Sequence, residues 1–213
     1  MINKRGLAVW HDSPAMSGDN VSVGTGGLSP LGPLSSSLTK GFTMVDHPTA
    51  AFSTCDLCDV HKADDSGAFR VLTPGFLHYG GKGAFCGPVA TVKCFEDNTL
   101  VKAALDTPGQ GRVLVVDGGA SLRRALVGGN LAAAGARNGW AGVVVNGCVR
   151  DAAELRAAAV GICALGLMPL PTEKRNEGQS NVAVQIQGVW VRPGDWLYAD
   201  EDGIVVSATS LLG

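Results

Sequence analysis

The sequence predicts a mixed α/β domain, and three patterns lead to this prediction. Two short runs, Val113–Val116 and Val143–Val145, contain only apolar residues, most of them β-branched, which is typical of strands buried on both faces. Each run ends in a turn of polar residues and glycine, and a segment with helical spacing follows. Residues 182–207 instead show short alternating segments separated by turns, so the end of the domain is expected to be mainly β.

Local signals place the other elements. Asn130 is the expected N-cap of one helix, and Gly139 lies where a left-handed residue would end it. The second buried strand is expected to break at Asn146 and Gly147, because such a pair is typical of turns. In chain order we predict a helix over 50–60, a strand over 87–94, a helix over 98–105, a strand over 113–116, a helix over 131–138, a strand over 143–145 and a helix over 151–159.

The composition divides the chain into a flexible leader, residues 1–48, and a folded domain, residues 49–213. The leader contains seven Gly, seven Ser and four Pro without sustained periodicity.

The whole chain has 17 Lys and Arg against 19 Asp and Glu, a net charge of -2, which argues against direct binding of nucleic acid. No apolar run approaches the roughly 20 residues of a membrane-spanning helix. We therefore expect a protein that binds neither nucleic acid nor membrane.

The six cysteines are expected to be reduced, because a domain of this length does not need disulfides. The leader lacks a secretory pattern and is neither Arg-rich nor free of acidic residues, unlike a mitochondrial transit peptide. A cytoplasmic location is therefore expected, with a mitochondrial one as the weaker alternative. Cys55, Cys58 and His61 have the spacing of half a zinc site, but the favoured interpretation makes them small core residues on a helix.

Two turns that follow predicted strands are the expected places for chemistry, since open α/β sheets bind ligands at the carboxyl ends of their strands. The first turn is Gly128-Gly129-Asn130-Leu131. Amides at the start of the following helix offer a site for a carboxylate. A paired-glycine turn before a helix is also common without any ligand, so both interpretations stay open.

The second turn contains Arg150 and Asp151, and Glu154 follows three residues after the aspartate. An arginine beside an aspartate at the end of a strand offers a clamp for a carboxylate and a hard oxygen ligand for Mg²⁺ or Mn²⁺. The spacing of Asp151 and Glu154 is also close to that of a capping box, in which the aspartate is purely structural. Spacing alone does not separate these two interpretations.

Other catalytic signatures are missing from the sequence. The segment at 117–120 follows a strand but lacks the G-x-G-x-x-G spacing of a dinucleotide loop, which argues against NAD or S-adenosylmethionine. No G-x-S-x-G elbow is present, and the four histidines all lie upstream of the two turns. The two turns therefore remain the candidate site.

A series of short motifs runs through about residues 49–207. They include Phe-Glu-Asp-Asn at 95–98, Val-Leu-Val-Val-Asp-Gly-Gly at 113–119, Leu-Arg-Arg-Ala-Leu-Val-Gly at 122–128, Asn-Gly-Trp-Ala-Gly at 138–142, Asn-Gly-Cys-Val-Arg-Asp at 146–151 and Val-Arg-Pro-Gly-Asp at 191–195. In this order the motifs closely resemble the proteins called regulator of ribonuclease activity A (RraA) and their relatives, the 4-hydroxy-4-methyl-2-oxoglutarate aldolases. The leader lies outside the resemblance.

The resemblance implies a β/β/α sandwich like the phosphohistidine swivelling domain, assembled as a ring-shaped homotrimer or a dimer of trimers with its site between subunits. It also implies one of two functions. Enzymatic relatives are divalent-metal aldolases that cleave 4-hydroxy-4-methyl-2-oxoglutarate or 4-carboxy-4-hydroxy-2-oxoadipate to release pyruvate, and they decarboxylate oxaloacetate. The substrate would then be a small 2-keto acid. Regulatory relatives bind ribonuclease E and associated helicases and reduce RNA processing.

The resemblance also assigns roles to the two turns. The first turn would hold the substrate carboxylate through backbone amides, Arg150 would contact the keto acid, and Asp151 would bind the divalent metal, Mg²⁺ or Mn²⁺. The expected catalytic residues are therefore Arg150 and Asp151. The expected substrate-binding residues are Gly128, Gly129, Asn130, Leu131 and Arg150.

One position departs from the aldolases that the sequence resembles. They usually have Asp at the position of Gly129, where it orients metal-bound water. A glycine there is expected to weaken activity or remove it, because the loss of such a partner typically costs 10 to 100-fold. Asn130, or Asp200 or Asp202 of a neighbouring subunit, are the candidates to replace the missing carboxylate.

Overall fold

The computed structural model describes residues 52–212, so the predicted leader and its boundary at residue 48 lie outside the described residues. Within this range the helices are α1 (Thr54–His61), α2 (Thr99–Leu105), α3 (Gly129–Arg137) and α4 (Ala152–Ala157). None of them has the length and apolar character needed to cross a lipid bilayer. The strands are β1 (Phe69–Val71), β2 (Leu77–His78), β3 (Phe85–Lys93), β4 (Val113–Asp117), β5 (Ala125–Val127), β6 (Gly142–Val149), β7 (Gly161–Leu167), β8 (Gln179–Ser180), β9 (Val184–Ile186), β10 (Val189–Val191), β11 (Trp196–Ala199) and β12 (Ile204–Ser207).

The strands form one large mixed sheet and a separate hairpin of β9 and β10. At the centre of the large sheet, β3, β4, β6 and β7 pair in parallel, and β5 runs parallel to β6. On the far side of β3 the sheet continues through β11, β12 and β1 with antiparallel pairing. This arrangement confirms the predicted mixed α/β class and the mainly β end of the domain.

The central strands are buried on both faces, as their apolar sequences predict. On β4, Leu114 and Val116 belong to a core cluster that includes Leu155 of α4. The alternate residue Val113 belongs to a second cluster that includes Leu197 of β11. The central strands therefore lie between a layer of helices and a second layer of strands.

The second buried strand, β6, runs further than the sequence predicts, so the break at Asn146 and Gly147 is wrong. The Asn146 side chain is buried, and its Nδ2 donates a hydrogen bond of 3.2 Å to Asp117 Oδ1 at the end of β4. This bond pairs the side-chain nitrogen inside the sheet, where an unpaired polar group is costly, whereas Asn146 Oδ1 is buried without a hydrogen-bond partner among the described residues. The strand therefore continues to Val149 and places Arg150 directly after it.

The helix after the first turn, α3, begins two residues earlier than the sequence predicts. Its N-cap is Gly128, whose carbonyl oxygen accepts hydrogen bonds from Leu131 N at 3.1 Å and Ala132 N at 3.0 Å. Asn130 therefore lies in the first turn of the helix, and its prediction as the N-cap is wrong. Gly139 has φ 73°, which confirms the left-handed position after the helix.

The first predicted helix is present as α1, although its predicted start falls outside the described residues. It begins at Thr54, whose backbone amide donates to Asp200 Oδ2 at 2.7 Å. Cys55 is exposed and Cys58 is half-buried, so their interpretation as core residues is wrong. The predicted strand over 87–94 and helix over 98–105 are confirmed as β3 and α2, with ends shifted by one or two residues.

Candidate active site

The two turns predicted to carry chemistry lie side by side because β5 and β6 pair in parallel. Val127 is opposite Val149, and Arg150 N donates to Val127 O at 2.9 Å. Both strands end at the same edge of the sheet, as expected for ligand sites in α/β folds. The structure therefore brings the turn that starts at Gly128 against the turn that contains Arg150 and Asp151.

A cavity of about 240 Å³ opens at this edge of the sheet. This volume is small for a ligand pocket and suits a compact keto acid. Gly129 is buried and does not line the cavity. The other five predicted site residues do line it: Gly128, Asn130, Leu131, Arg150 and Asp151.

The Asp151 side chain does not cap the helix that it precedes. Asp151 has φ 63° and ψ 48°, a left-handed conformation, and makes no side-chain cap bond to α4. Its Oδ2 instead accepts a hydrogen bond from Gly129 N, at 3.1 Å, at the start of α3. The capping-box interpretation of Asp151 is therefore wrong. A non-glycine residue in this conformation costs of order 1–3 kcal/mol, which is typical of functional sites.

Gly128 is a glycine because of the space around it. A Cβ atom at this position would lie 2.6 Å from Asp151 Oδ2 and 3.2 Å from Arg150 Nε. Gly128 has φ -134°, so its backbone conformation does not require glycine. The missing side chain lets Arg150 and Asp151 pack directly against the start of α3.

The backbone amides of the first turn are only partly available to a ligand. Gly129 N donates to Asp151, and Leu131 N donates to Gly128 O at 3.1 Å. Asn130 N makes none of the hydrogen bonds found over residues 52–212. Of the amides that the resemblance assigns to the substrate carboxylate, Asn130 N is therefore the best placed within α3.

The Arg150 side chain is held beside Asp151 by an ion pair of 3.4 Å between Arg150 Nε and Asp151 Oδ2. The two side chains are 39% and 36% exposed, so solvent and ligand can both reach them. The terminal guanidinium nitrogens of Arg150 make no hydrogen bond within the described part of the chain. They are thus available for a bidentate contact with a carboxylate or a keto acid.

Two lysines that the sequence does not connect to the site also line the cavity. Lys102 comes from α2, where it pairs with Asp106, and Lys174 comes from the segment after β7. Together with Arg150 they outnumber the single carboxylate of the lining, Asp151. The cavity therefore favours anions, and no sequence spacing could have shown this, because the three cations come from distant segments.

The segment that carries Lys174 is fastened by Asp97, which is completely buried. The Asp97 carboxylate accepts hydrogen bonds from Arg175 N at 2.7 Å, Glu177 N at 3.1 Å and Thr99 N at 2.8 Å. Burial alone raises the pKa of Asp97, but the hydrogen bonds from Thr99, Glu177 and Arg175 outweigh it and hold the pKa well below its usual range. Asp97 therefore fixes this wall of the cavity.

Asp151 is the candidate metal ligand. Among residues 52–212, no three His, Cys, Asp or Glu side chains come together as a metal-binding group. Asp151 Oδ1 takes part in no hydrogen bond of this range and is available as a ligand. Mg²⁺ is often held by one or two carboxylates and keeps several waters. The residues present thus fit a hydrated Mg²⁺ or Mn²⁺ and do not fit a zinc site.

Asp200, one of the acids considered as a replacement from a neighbouring subunit, has a structural role within its own chain. Its Oδ1 accepts from Thr54 Oγ1 at 2.6 Å, and its Oδ2 accepts from Thr54 N. It lines a different cavity, together with His78 and Asp202. The Asp200 carboxylate is therefore already occupied by the start of α1.

Comparison with known proteins identifies a family that matches the chain. The family described as RraA-like, Aldolase/RraA, matches residues 54–206. A protein of Albidiferax ferrireducens, provisionally named 4-hydroxy-4-methyl-2-oxoglutarate aldolase, is 67% identical over an alignment of 172 residues, and the match covers 77% of this chain and 99% of the relative.

Two solved structures are similar over nearly their whole length. The RNA-processing inhibitor RraA from Thermus thermophilis has a TM-score of 0.70 and 43% identity, covering 76% of this chain and 96% of its own. A protein of Geobacillus kaustophilus described as an S-adenosylmethionine:2-dimethylmenaquinone methyltransferase has a TM-score of 0.72 and 44% identity, covering 76% and 98%. The chain therefore belongs to the RraA-like family, whose members include proteins named as aldolases.

Proposed function

We propose that this protein is a divalent-metal-dependent aldolase that cleaves 4-hydroxy-4-methyl-2-oxoglutarate or a close analogue to release pyruvate, and that it also decarboxylates oxaloacetate. One observation carries the proposal. Asp151, in a left-handed conformation, presents its carboxylate beside Arg150 at the edge of a cation-rich cavity. A relative that is 67% identical carries an aldolase name, which supports the same reaction class.

Different residues of the cavity suit the two ends of the substrate. At the keto-acid end, the Arg150 guanidinium and Asn130 N bind the carboxylate and the 2-oxo group. Lys102 and Lys174 line the same cavity and suit the second carboxylate of the substrate. This charge pattern supports a substrate with two or three carboxylates, which both candidate substrates have.

The chemistry follows from where negative charge develops. Cleavage between C3 and C4 moves an electron pair toward the 2-oxo group of the departing pyruvate. Arg150 stabilises this charge electrostatically, and such stabilisation is usually a large part of catalysis. A divalent ion held by Asp151 would supply Lewis-acid polarisation of the same oxygen. The substrate hydroxyl proton passes to water or to a carboxylate of a neighbouring subunit, and the enolate then takes up a proton at C3 to give pyruvate.

Decay of oxaloacetate gives a simple test of the proposed function. We expect the purified protein to accelerate the decay in Mn²⁺ or Mg²⁺, and EDTA to abolish the acceleration. Buffer with metal but without protein is the control, because metal ions alone decarboxylate oxaloacetate slowly. No acceleration above that control would contradict the proposal.

A second function has support from one comparison, the 43% identity to an RNA-processing inhibitor. In this alternative the chain has no required chemistry and acts by binding a ribonuclease or helicase. Inhibition of RNA cleavage by a ribonuclease E-type enzyme, without any metal-dependent decay of oxaloacetate, would favour it. We favour the aldolase, because a purely regulatory role does not explain why Asp151 adopts a left-handed conformation beside Arg150.

A further inference from the structure

A carboxylate that the sequence does not assign to the site lies against Gly129. A Cβ atom at position 129 would lie 1.6 Å from Glu154 Oε2 and 2.6 Å from Glu154 Cβ. Glu154, on α4, therefore fills the space that any side chain at position 129 would need. The close approach of the two helix starts is possible only because residue 129 is a glycine.

Glu154 and Asp151 flank the same backbone group. Asp151 Oδ2 accepts a hydrogen bond from Gly129 N, and Glu154 Oε2 lies beside the Cα of the same glycine. From these contacts and standard backbone dimensions, the two carboxylate oxygens are at most about 7 Å apart. The start of α3 is therefore bordered by two carboxylates rather than one.

The Glu154 carboxylate has no partner among the described residues. It makes no hydrogen bond and no ion pair over residues 52–212, although most other charged groups near the cavity are paired. In a capping box the Glu154 carboxylate would bond to the backbone amide of Asp151, but Asp151 does not cap α4. Glu154 is exposed to solvent, so its carboxylate is available to accept hydrogen bonds from water.

We propose that Glu154 is a positioning residue of the metal site, accepting a hydrogen bond from water bound to the divalent ion that Asp151 holds. This inference rests on the proposed function. An ion bound through a single carboxylate keeps several waters, and the acceptors of those waters contribute to its affinity. Two metal–oxygen contacts of about 2.1 Å and one hydrogen bond of about 2.7 Å together span up to about 7 Å, which matches the upper limit on the separation of the two carboxylates.

The charges of the cavity give a second reason for Glu154. Arg150, Lys102 and Lys174 repel a divalent cation, and Asp151 alone offsets only one of these charges. Glu154 adds a second negative charge next to Asp151. Asn130 also lines the cavity, but its neutral side chain cannot add a negative charge.

The test is Mn²⁺ binding to the full chain, measured through the electron paramagnetic resonance signal of unbound Mn²⁺. Glu154→Gln keeps the size of the side chain and removes its charge. We expect it to weaken Mn²⁺ affinity about 10 to 100-fold without changing the melting temperature of the metal-free protein. Glu177→Gln is the matched control, because Glu177 is another exposed glutamate and its carboxylate pairs with Arg175.

Each outcome separates this inference from the proposed function. Wild-type protein that binds Mn²⁺ and a Glu154→Gln variant of equal affinity would overturn the inference and leave the proposed function standing. Wild-type protein that does not bind Mn²⁺ would overturn both. An equal loss in Glu177→Gln would reveal a general charge effect and also overturn the inference. Glu154→Ala, which relieves the contact with Gly129, decides the same question if the Gln variant does not fold.

Discussion

The Asp151 carboxylate accepts a hydrogen bond of 3.1 Å from the backbone amide of Gly129 and thereby joins the turn after β6 to the first residue of α3. Asp151 reaches this amide in a left-handed conformation that is unfavourable for most residues. This hydrogen bond connects Asp151 to α3, beside the cavity, and not to the helix that Asp151 precedes. It therefore holds the Asp151 carboxylate at the candidate site.

Asp151→Asn is expected to preserve the fold and remove divalent-metal binding. Asn tolerates the left-handed conformation about as well as Asp, and its side-chain oxygen can still accept the Gly129 hydrogen bond. A neutral amide is a far poorer ligand for a hard dication. Titration calorimetry with Mn²⁺ measures the loss. Unchanged affinity in this variant would mean that Asp151 only joins the two helix starts.

Any side chain at position 129 is expected to destabilise the protein, because its Cβ would collide with Glu154. For Gly129→Ala we expect a cost of about 1–3 kcal/mol, seen as a melting temperature lower by several degrees. Combining it with Glu154→Gly removes the colliding atoms and should recover part of this loss. Strictly additive melting temperatures would show that the two positions do not interact.

Gly129→Asp restores the carboxylate that similar aldolases have, and the sequence alone suggests a simple gain of activity. The structure changes this expectation, because Glu154 occupies the required space. We expect the single variant to lose stability. With Glu154→Gly added, the carboxylate introduced at position 129 takes over the role of the Glu154 carboxylate, so we expect metal-dependent oxaloacetate decay about 10 to 100-fold faster than in the Glu154→Gly single variant. A full gain in the Gly129→Asp single variant, without loss of stability, would contradict this.

Asp97 is expected to make the protein sensitive to acid. The pKa of its carboxyl is depressed in the folded state, so its stabilising effect is fully present above the ordinary Asp pKa of about 3.9 and is lost as the pH falls toward the folded-state pKa. Asp97→Asn should therefore lower the melting temperature at neutral pH, and this difference should shrink progressively as the pH falls below about 4. A gap between wild type and variant that does not change with pH would contradict this role.

The protein is expected to assemble as a homotrimer or a dimer of trimers, because the resemblance places the site between subunits. Large apolar side chains such as Leu122, Leu167 and Leu170 are exposed on the single chain and are available for such contacts. Light scattering on dilute protein measures the mass. A strictly monomeric mass would exclude a site shared between subunits.

The sequence predicts the parts of this fold that depend on local pattern. The runs at 113–116 and 143–145 are recognisable as buried strands because every side chain in them is apolar. The extension of β6 through Asn146 is not recognisable, because the Asp117 carboxylate that accepts a hydrogen bond from the Asn146 side-chain nitrogen lies 29 residues away. The need for glycine at the N-cap Gly128 comes from the close approach of Asp151 and Arg150, which is again nonlocal.

In the candidate site, too, some residues can be predicted from local sequence and others cannot. Arg150 and Asp151 stand out by their position after a strand, and their motif carries the family resemblance. Glu154 suggests only a capping box by its spacing, and the absence of a cap bond becomes visible only in the structure. No sequence pattern near Lys174 predicts that it lines the cavity. Its segment is held in place by the buried Asp97, which lies 77 residues earlier in the chain.

The most direct test of the proposed aldolase activity is the release of pyruvate from 4-hydroxy-4-methyl-2-oxoglutarate, followed with lactate dehydrogenase in the presence of Mn²⁺. We expect turnover by the wild-type protein, loss of turnover on adding EDTA, recovery with excess Mn²⁺, and none with Asp151→Asn. Turnover that persists in EDTA, or an Asp151→Asn variant as active as wild type, would contradict a metal-dependent reaction at Asp151. The complete absence of pyruvate with folded, metal-loaded protein would contradict the aldolase activity itself.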